Sequence, residues 1–484
     1  MTMELDISNF EDAAKRAVEW IKHYMSHMNE YPVMAKAKPG DIKSKLPVLP
    51  PAEPETLTSI MNDFESIVIP GITHWNHPRF FAYFSITSSY AGIIGELLAT
   101  TLNVNAMNWK SSPSATELEE VVLDWLRQMV SLPDDFMGII NDTASVSSLC
   151  AVAAARESLK LDIRERGLAG RTDMPRLTIY ISEETHSSVE KAAIVLGIGQ
   201  ENVRKISTNS KFQMNTQELE EKILSDLKNG AKPVCVIATI GTTSTTSVDP
   251  VSDIVTICKK YDIWLHIDAA YGGPIAIVPE KKEYFKDWER ADSIVINPHK
   301  WLFTPIDCSV LFCRQPDILK NAFSLVPEYL KTSEQDDVIN YMDYGVALGR
   351  RFRSLKLWFI IRAYGVRKLR NILRNQLEYA QIIKSRIEMN ENFELIAPVP
   401  FSTIVFRLNP NNGSNEFSDD DLNIINEKLL YKINETGEVF LSHTKLNNLF
   451  SIRFAIGNIK TTLDDVQFAW EIITEKAMEI LNDL

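Results

Sequence analysis

The sequence predicts an α/β protein built on a mainly parallel central sheet with helices on both faces. Short apolar runs recur through the middle of the chain at LTIYIS (177–182), PVCVIATIG (233–241), IWLHID (263–268), SIVINP (293–298) and CSVLFCR (308–314). Several are near-continuously apolar rather than alternating, the pattern of strands buried on both faces. Helical stretches such as 187–197 and 251–260 stand between some of them, as helices that cover such a sheet do.

Taken in order, Ser8 with Glu11 has the form of a capping box, and Phe10, Ala14, Val18, Ile21 and Met25 follow at helical spacing. An amphipathic helix to about residue 29 is expected. The proline-rich LPVLPPAEPET (46–56) cannot continue it and reads as a linker or an arm, lying within one subunit or on a neighbour. Helical patterns at 116–131, opened by a Ser114/Glu117 capping box, and at 144–160 precede the strands. From about 370 the texture changes to FSTIVFRL, LNIINEKLL, LFSIRFAIG and a final amphipathic helix at 462–482. Three units follow: an N-terminal helical arm (1–85), a large α/β domain (86–365) and a small α+β domain (366–484).

Composition narrows the function. Of 484 residues, 51 are Lys or Arg and 64 Asp or Glu, a formal net charge of −13. That balance disfavours nucleic acid and anionic membranes as partners. No apolar run approaches the roughly 18 residues that span a bilayer. The opening MTMELDISNFEDAAKR is acidic and helical in pattern, unlike a targeting peptide, so a cytoplasmic protein is expected. Five cysteines at irregular spacing (Cys150, Cys235, Cys258, Cys308, Cys313) read as free thiols, and neither C-x-x-C nor H-E-x-x-H points to a metal. The sequons at Asn141, Asn412 and Asn434 read as ordinary turns or helix starts. Asp419-Asp420-Asp421 reads as compensation of a helix dipole. RRFRSLK (350–356), set beside LWFIIRAYG, reads as a helix anchoring a subunit contact rather than a nucleic-acid patch.

Ligands of open α/β sheets sit beyond the carboxyl ends of the strands. There Asp268 ends IWLHID before AAYGG, Lys300 stands just past SIVINP with Asn297 and His299, His186 follows LTIYIS, and Thr242 and Thr243 follow Gly241. Each alone is an ordinary polar residue; a lone lysine is usually solvated surface. Together they make one chemistry. A lysine at a buried sheet edge can lose its proton and form a Schiff base with an aldehyde cofactor. A carboxylate opposite can keep a pyridine nitrogen protonated, and an imidazole can lie over the ring. Thr143-Ala144-Ser145 opens a helix whose N–H groups suit a phosphate. That set describes pyridoxal phosphate.

PGITHWNHPRFFAYF (70–84), SSPSATELE (111–119), THSSVEKA (185–192), WLHIDAAYGG (264–273), NPHKW (297–301), PEYLK (327–331), LGRRFRSLKLW (348–358) and FSIRFAIG (450–457) extend the picture over almost the whole chain. In these stretches the sequence resembles the pyridoxal-phosphate-dependent group II amino-acid decarboxylases, most of all the aromatic-L-amino-acid decarboxylases. NPHKW with an upstream HIDAAY marks the group; LGRRFRSLK and THW…FFAYF narrow it to the aromatic branch. The resemblance implies an aspartate-aminotransferase-like (fold type I) enzyme that acts as a homodimer with active sites at the subunit interface, so the arm becomes a dimerisation segment. It implies that Lys300 forms the Schiff base, Asp268 pairs with the pyridine nitrogen and His186 stacks on the ring. Ala144, Ser145 and Asn297 would hold the phosphate, helped by Leu348 and Gly349 of the other subunit. Thr243 would lie near the cofactor and His299 near the lysine and substrate. Trp75, Tyr83, Phe84 and Ile86 would line the substrate pocket, with Met107 reaching across the interface. Tyr329, a plain loop tyrosine on its own, would donate the proton to Cα.

The chain departs from the family at Ser85-Ile86, where Pro-Thr is usual, and at Asp142 and Val146, where a glycine and a glutamate are common. Asn105 and Met107 replace larger apolar residues. An acidic Asp142 beside a phosphate is unfavourable unless its carboxylate points away. The reading is decarboxylation of tryptophan, 5-hydroxytryptophan, Dopa, tyrosine or phenylalanine, with Gly349 leaning towards an indole. An aromatic acetaldehyde synthase on the same scaffold goes with Phe at position 329 or Asn at 186, and both here carry the decarboxylase residue. A non-catalytic relative sits poorly with intact Lys300, Asp268 and His186.

Overall fold

The computed structural model describes residues 7–325, 337–411 and 416–483. Seven strands form the large sheet: β1 (Met137–Asn141), β2 (Leu177–Ser182), β3 (Val203–Ile206), β4 (Lys232–Thr239), β5 (Trp264–Asp268), β6 (Ser293–Ile296) and β7 (Ser309–Cys313). Their order is β1-β7-β6-β5-β4-β2-β3. Pairing is parallel from β3 to β6, and β7 alone runs antiparallel, to both β6 and β1. The link from β6 to β7 holds a single helical turn, Pro298–Trp301, and builds no crossover helix.

All five apolar runs are strands. β2, β5, β6 and β7 are buried at every residue, which requires cover on both faces. β1 and β3 were not anticipated. β3 is a four-residue edge strand whose Arg204 and Lys205 are not buried, a short charged edge that blunts further pairing. β1, MGIIN, is five residues long and its apolar content is too brief to register.

The first helix, Ile7–Ser26, ends earlier than its periodicity implies, and a 3₁₀ turn takes Met28–Glu30. The helix Pro113–Met129 is capped by Ser112, not Ser114. Ser112 Oγ accepts the Ala115 N–H at 3.3 Å, and Pro113 takes the first helical position, where no N–H is missed. Glu117 instead accepts the Trp109 indole N–H at 2.8 Å.

A second, antiparallel sheet is formed by β8 (Phe393–Leu395), β9 (Thr403–Leu408), β10 (Ser442–Leu446) and β11 (Leu449–Ala455), in the order β10-β11-β9-β8. Helices Asp419–Glu435 and Leu463–Leu481 start on capping boxes, Ser418 with Asp421 and Thr462 with Asp465. The acidic run therefore serves that helix start, and Asp419 also accepts from Arg407 at 2.9 Å.

The helix Arg353–Glu388 serves both cores: Leu357, Leu369 and Leu373 lie in the large one, Ala380, Ile383 and Ile387 in the small one. It changes course at Gly365, whose φ of +65° no β-carbon residue adopts cheaply. The basic run before and within it is taken up internally. Arg350 reaches Glu119 at 2.6 Å and the Ile140 carbonyl at 2.8 Å, Arg353 reaches Asp307 at 2.7 Å, and the buried Lys356 reaches Glu96 at 2.8 Å. Arg351 also pairs with Glu96. These cations pair with groups of their own chain.

The two sheets are joined by the stretch before Phe84. Phe81 donates to the Phe440 carbonyl at 2.9 Å and accepts from Ala455 at 3.0 Å, while Phe84 packs on the large domain. All five cysteines are buried and free. Among the described residues no helix is long and apolar enough to cross a membrane.

Candidate active site

A cavity of about 260 Å³ opens at the carboxyl edge of β2, β4, β5 and β6. It brings together His186, Asp268, Lys300, Asn297, His299 and Thr243 from the strand ends, with Ala144 and Ser145 from the helix start and Phe84 and Ile86 opposite.

Lys300 sits on the one-turn helix Pro298–Trp301, and its N–H is held by the Asn297 carbonyl at 3.0 Å. Burial pulls its ammonium below the usual lysine range, and Asp268 opposes that only in part. Asp268 closes β5, is 7% exposed, and its carboxylate accepts the Ala270 N–H at 3.0 Å. The bond fixes the carboxylate and leaves lone pairs for a protonated ring nitrogen.

His186 Nδ1 accepts the Ser188 backbone N–H at 3.2 Å, so the proton of the neutral ring is on Nε2. Burial lowers its pKa, Asp268 opposes and Lys300 adds to the fall, so the ring is neutral near pH 7. His299 is held likewise: Nδ1 accepts the Cys308 N–H at 2.9 Å, and burial with the Lys300 charge pushes its pKa down to about 3.

The helix Ala144–Glu157 begins at Thr143, which makes no side-chain cap, so the first-turn amides are not satisfied from that side. Asp142 turns its carboxylate onto its own neighbour. Its carboxylate accepts from the N–H and hydroxyl of Thr143, and Asp142 lines a separate cavity with Gly349, Arg350 and Arg353. Val146 lines that second cavity too.

Other predicted residues stand apart from the main cavity. Trp75 and Tyr83 stack with ring centres 5.7 Å apart outside its lining, and Tyr83 is 53% exposed with φ of +51°. Met107 is half-buried, and Leu348 and Gly349 are exposed. Tyr329 lies outside the described residues.

Sequence reasoning missed several wall residues, among them Thr239, Ser188 and Ile306. It also missed Tyr271, which stacks on Phe84 at 3.7 Å and on Trp301 at 4.4 Å. The only signal was its place in AAYGG. The turn needs its glycine: a β-carbon on Gly272 would meet the Ile240 carbonyl oxygen at 2.4 Å. Arg453 was missed as well. It is buried, donates to the Thr243 carbonyl at 2.7 Å and the Ser244 carbonyl at 3.0 Å, and so holds the loop that carries Thr243.

The residues fit pyridoxal phosphate. Asn297 Oδ1 and Thr239 Oγ1 are buried in the cavity wall with no hydrogen-bond partner, as expected of groups reserved for a polar ligand. A buried amine, a fixed carboxylate and an open helix start lie around the same space. This is the arrangement of a fold type I pyridoxal-phosphate enzyme.

Residues 39–409 match the family model of the pyridoxal-dependent decarboxylase conserved domain. The chain is 39% identical over 489 residues to tyrosine decarboxylase 4 of Petroselinum crispum, covering 99% of this chain and 95% of that one. It is 38% identical over 495 residues to a phenylacetaldehyde synthase of a Rosa hybrid cultivar, covering 100% and 96%. Its fold superposes on the crystal structure of Oryza sativa TDC with PLP and tryptamine at a TM-score of 0.94, with 34% identity over 99% of this chain and 100% of the other. The chain belongs to the pyridoxal-dependent decarboxylases, and it is a carboxy-lyase with pyridoxal phosphate as its cofactor.

Proposed function

We propose that the protein decarboxylates an aromatic L-amino acid to its arylalkylamine and CO₂. The observation that carries the reading is the meeting of Lys300, Asp268 and His186 in one cavity beside the Phe84–Tyr271 stack. Its similarity to a tyrosine decarboxylase and to a structure holding tryptamine supports an aromatic side chain.

When bound, pyridoxal phosphate supplies an electron-poor ring that accepts the electron pair left at Cα as the carboxylate departs. Lys300 would hold it, since burial favours the nucleophilic neutral amine. Asp268 would hold a proton at the ring nitrogen, and His186 would meet the ring as a neutral imidazole. The Ala144 and Ser145 amides and Asn297 would hold the phosphate, with Thr243 near the cofactor. Phe84 and Ile86 bound the aromatic side chain, and His299 presents a polar edge near the lysine. Tyr329 delivers the proton to Cα.

The working unit in this proposal is a cytoplasmic homodimer. Leu97, Leu98 and Leu102 present exposed apolar surface, and Met107, Leu348 and Gly349 stand outside their own chain's cavity, free to complete a second copy's site. Five buried free thiols support a reducing compartment. The division at 85/86 and 365/366 belongs to the same proposal, and the bend at Gly365 supports it.

Similarity to a phenylacetaldehyde synthase raises a second reading, oxidative deamination coupled to CO₂ loss. Tyr329 and His186 favour the amine. The test is incubation of purified enzyme with tryptophan, 5-hydroxytryptophan, Dopa, tyrosine and phenylalanine, with amine, aldehyde and peroxide measured separately. Amine matching CO₂ supports the proposal. Aldehyde and peroxide matching CO₂ would install the second reading, and no CO₂ from any of the five would end both.

A further inference from the structure

The residue after Lys300 joins two buried connections. The Trp301 ring stacks on Tyr271 with centroids 4.4 Å apart and planes 9° from parallel, and Tyr271 stacks on Phe84 at 3.7 Å and 12°. The Trp301 indole N–H donates to Gln376 Oε1 at 2.6 Å. Gln376 Nε2 in turn donates to the Asn458 carbonyl at 2.8 Å, and Asn458 Nδ2 donates to the His77 carbonyl at 2.8 Å. Trp301, Gln376, Asn458 and His77 are each no more than 1% exposed.

The two connections end on one stretch of chain, at Phe84 of the cavity wall and at His77 shortly before it. One runs through rings to Phe84, the other through amides to the stretch 75–77, next to Trp75. Both leave from the ring attached one residue from the lysine. A buried amide whose oxygen and nitrogen are both engaged tolerates little rotation, because turning it over would set donor against donor and acceptor against acceptor.

We infer that Gln376 is a positioning residue for the reaction: by holding the Trp301 indole, it sets Lys300 against the Phe84 wall. It touches neither substrate nor cofactor; its lever is the angle of the Trp301 ring and with it the one-turn helix carrying the amine. The inference rests on the role proposed for Lys300. Small displacements at a reacting centre cost rate far more than they cost binding.

The test compares Gln376→Met, which keeps length and loses both hydrogen bonds, with Trp301→Phe, which keeps a ring and loses the indole N–H. Four properties are read on the purified holoenzyme: kcat per bound cofactor, KM for the amino acid, the pH midpoint of the bound cofactor's visible band, and the thermal midpoint. Gln376→Met is expected to lower kcat about tenfold with KM within about twofold, and to move the pH midpoint of the band. The double variant is expected to lose little more than the worse single variant, because both changes remove one link. Wild-type kcat per bound cofactor with an unmoved band, whatever the thermal midpoint, would make Gln376 structural only and overturn the inference. If Gln376→Met does not fold, the same readings on Trp301→Phe decide it. Lys300→Ala separates the two levels: a band that persists there refutes the lysine's role, whereas a band lost there and unmoved in Gln376→Met refutes only the role of Gln376.

Discussion

The Lys300 ammonium nitrogen lies 5.4 Å from the centre of the Phe84 ring. The amine is thus set against an aromatic wall that is itself stacked on Tyr271, and Arg453 approaches the same ring at 5.2 Å. Burial favours the uncharged form of the lysine, with Asp268 opposing it in part. The arrangement has consequences that can be measured.

Lys300→Ala is expected to lose the visible band of bound cofactor on dialysis and nearly all turnover, because among the described residues no other cavity group supplies an amine. A yellow band surviving dialysis would mean that another group holds the cofactor.

Asp268→Asn is expected to fold and to keep its Ala270 contact, since Asn retains an acceptor oxygen. It cannot hold a proton at the ring nitrogen, so kcat should fall by about two orders of magnitude or more, on the scale of a lost electrostatic partner. Activity within a few-fold of wild type would remove Asp268 from the mechanism.

Tyr329→Phe keeps shape and loses the proton. Once CO₂ has left, Cα must take up a proton to give amine; a pair left waiting can instead reduce dissolved oxygen, giving aldehyde, ammonia and peroxide. The variant should consume oxygen and release aldehyde in step with CO₂ while binding cofactor normally. Only amine, at the wild-type rate and without oxygen uptake, would place the proton donor elsewhere.

Three buried histidines predict how stability depends on pH. Burial pushes His77 and His299 down to about 3 and His266 to about 4, against an ordinary value of 6.5. The unfolded chain binds those protons first. Their contribution is therefore complete above pH 6.5 and is lost as pH falls towards the folded values, by about 1.4 kcal/mol per pH unit for each. The thermal midpoint should drop between pH 7 and 5, and less steeply in His266→Gln. Equal slopes in both proteins would show that His266 is not among the groups responsible.

What the sequence could reveal depended on the range of the interaction. Strands β2 and β4 to β7 were legible because burial on both faces writes itself locally as an apolar run. β3, with its charged side chains, was not. Lys300, Asp268 and His186 were legible because the ends of such strands are where ligands collect. Phe84 and Ile86 came only with the resemblance, and Tyr271 and Gln376 did not come at all. Stacking on Phe84, 187 positions away, and bonding to Trp301, 75 positions away, leave no local trace. The Ser114 cap failed because Pro113 takes the first helical position and moves the cap two residues back, to Ser112.

The hydrogen bonds from Phe81 to Phe440 and Ala455 set an order of events in biosynthesis. The segment that ends at Phe84 is made before Lys300, Asp268 and His186, and the strand edge it must join is made after them. A nascent chain can therefore carry Lys300, Asp268 and His186 while Phe84 beside them is still waiting for the strand edge that anchors its segment.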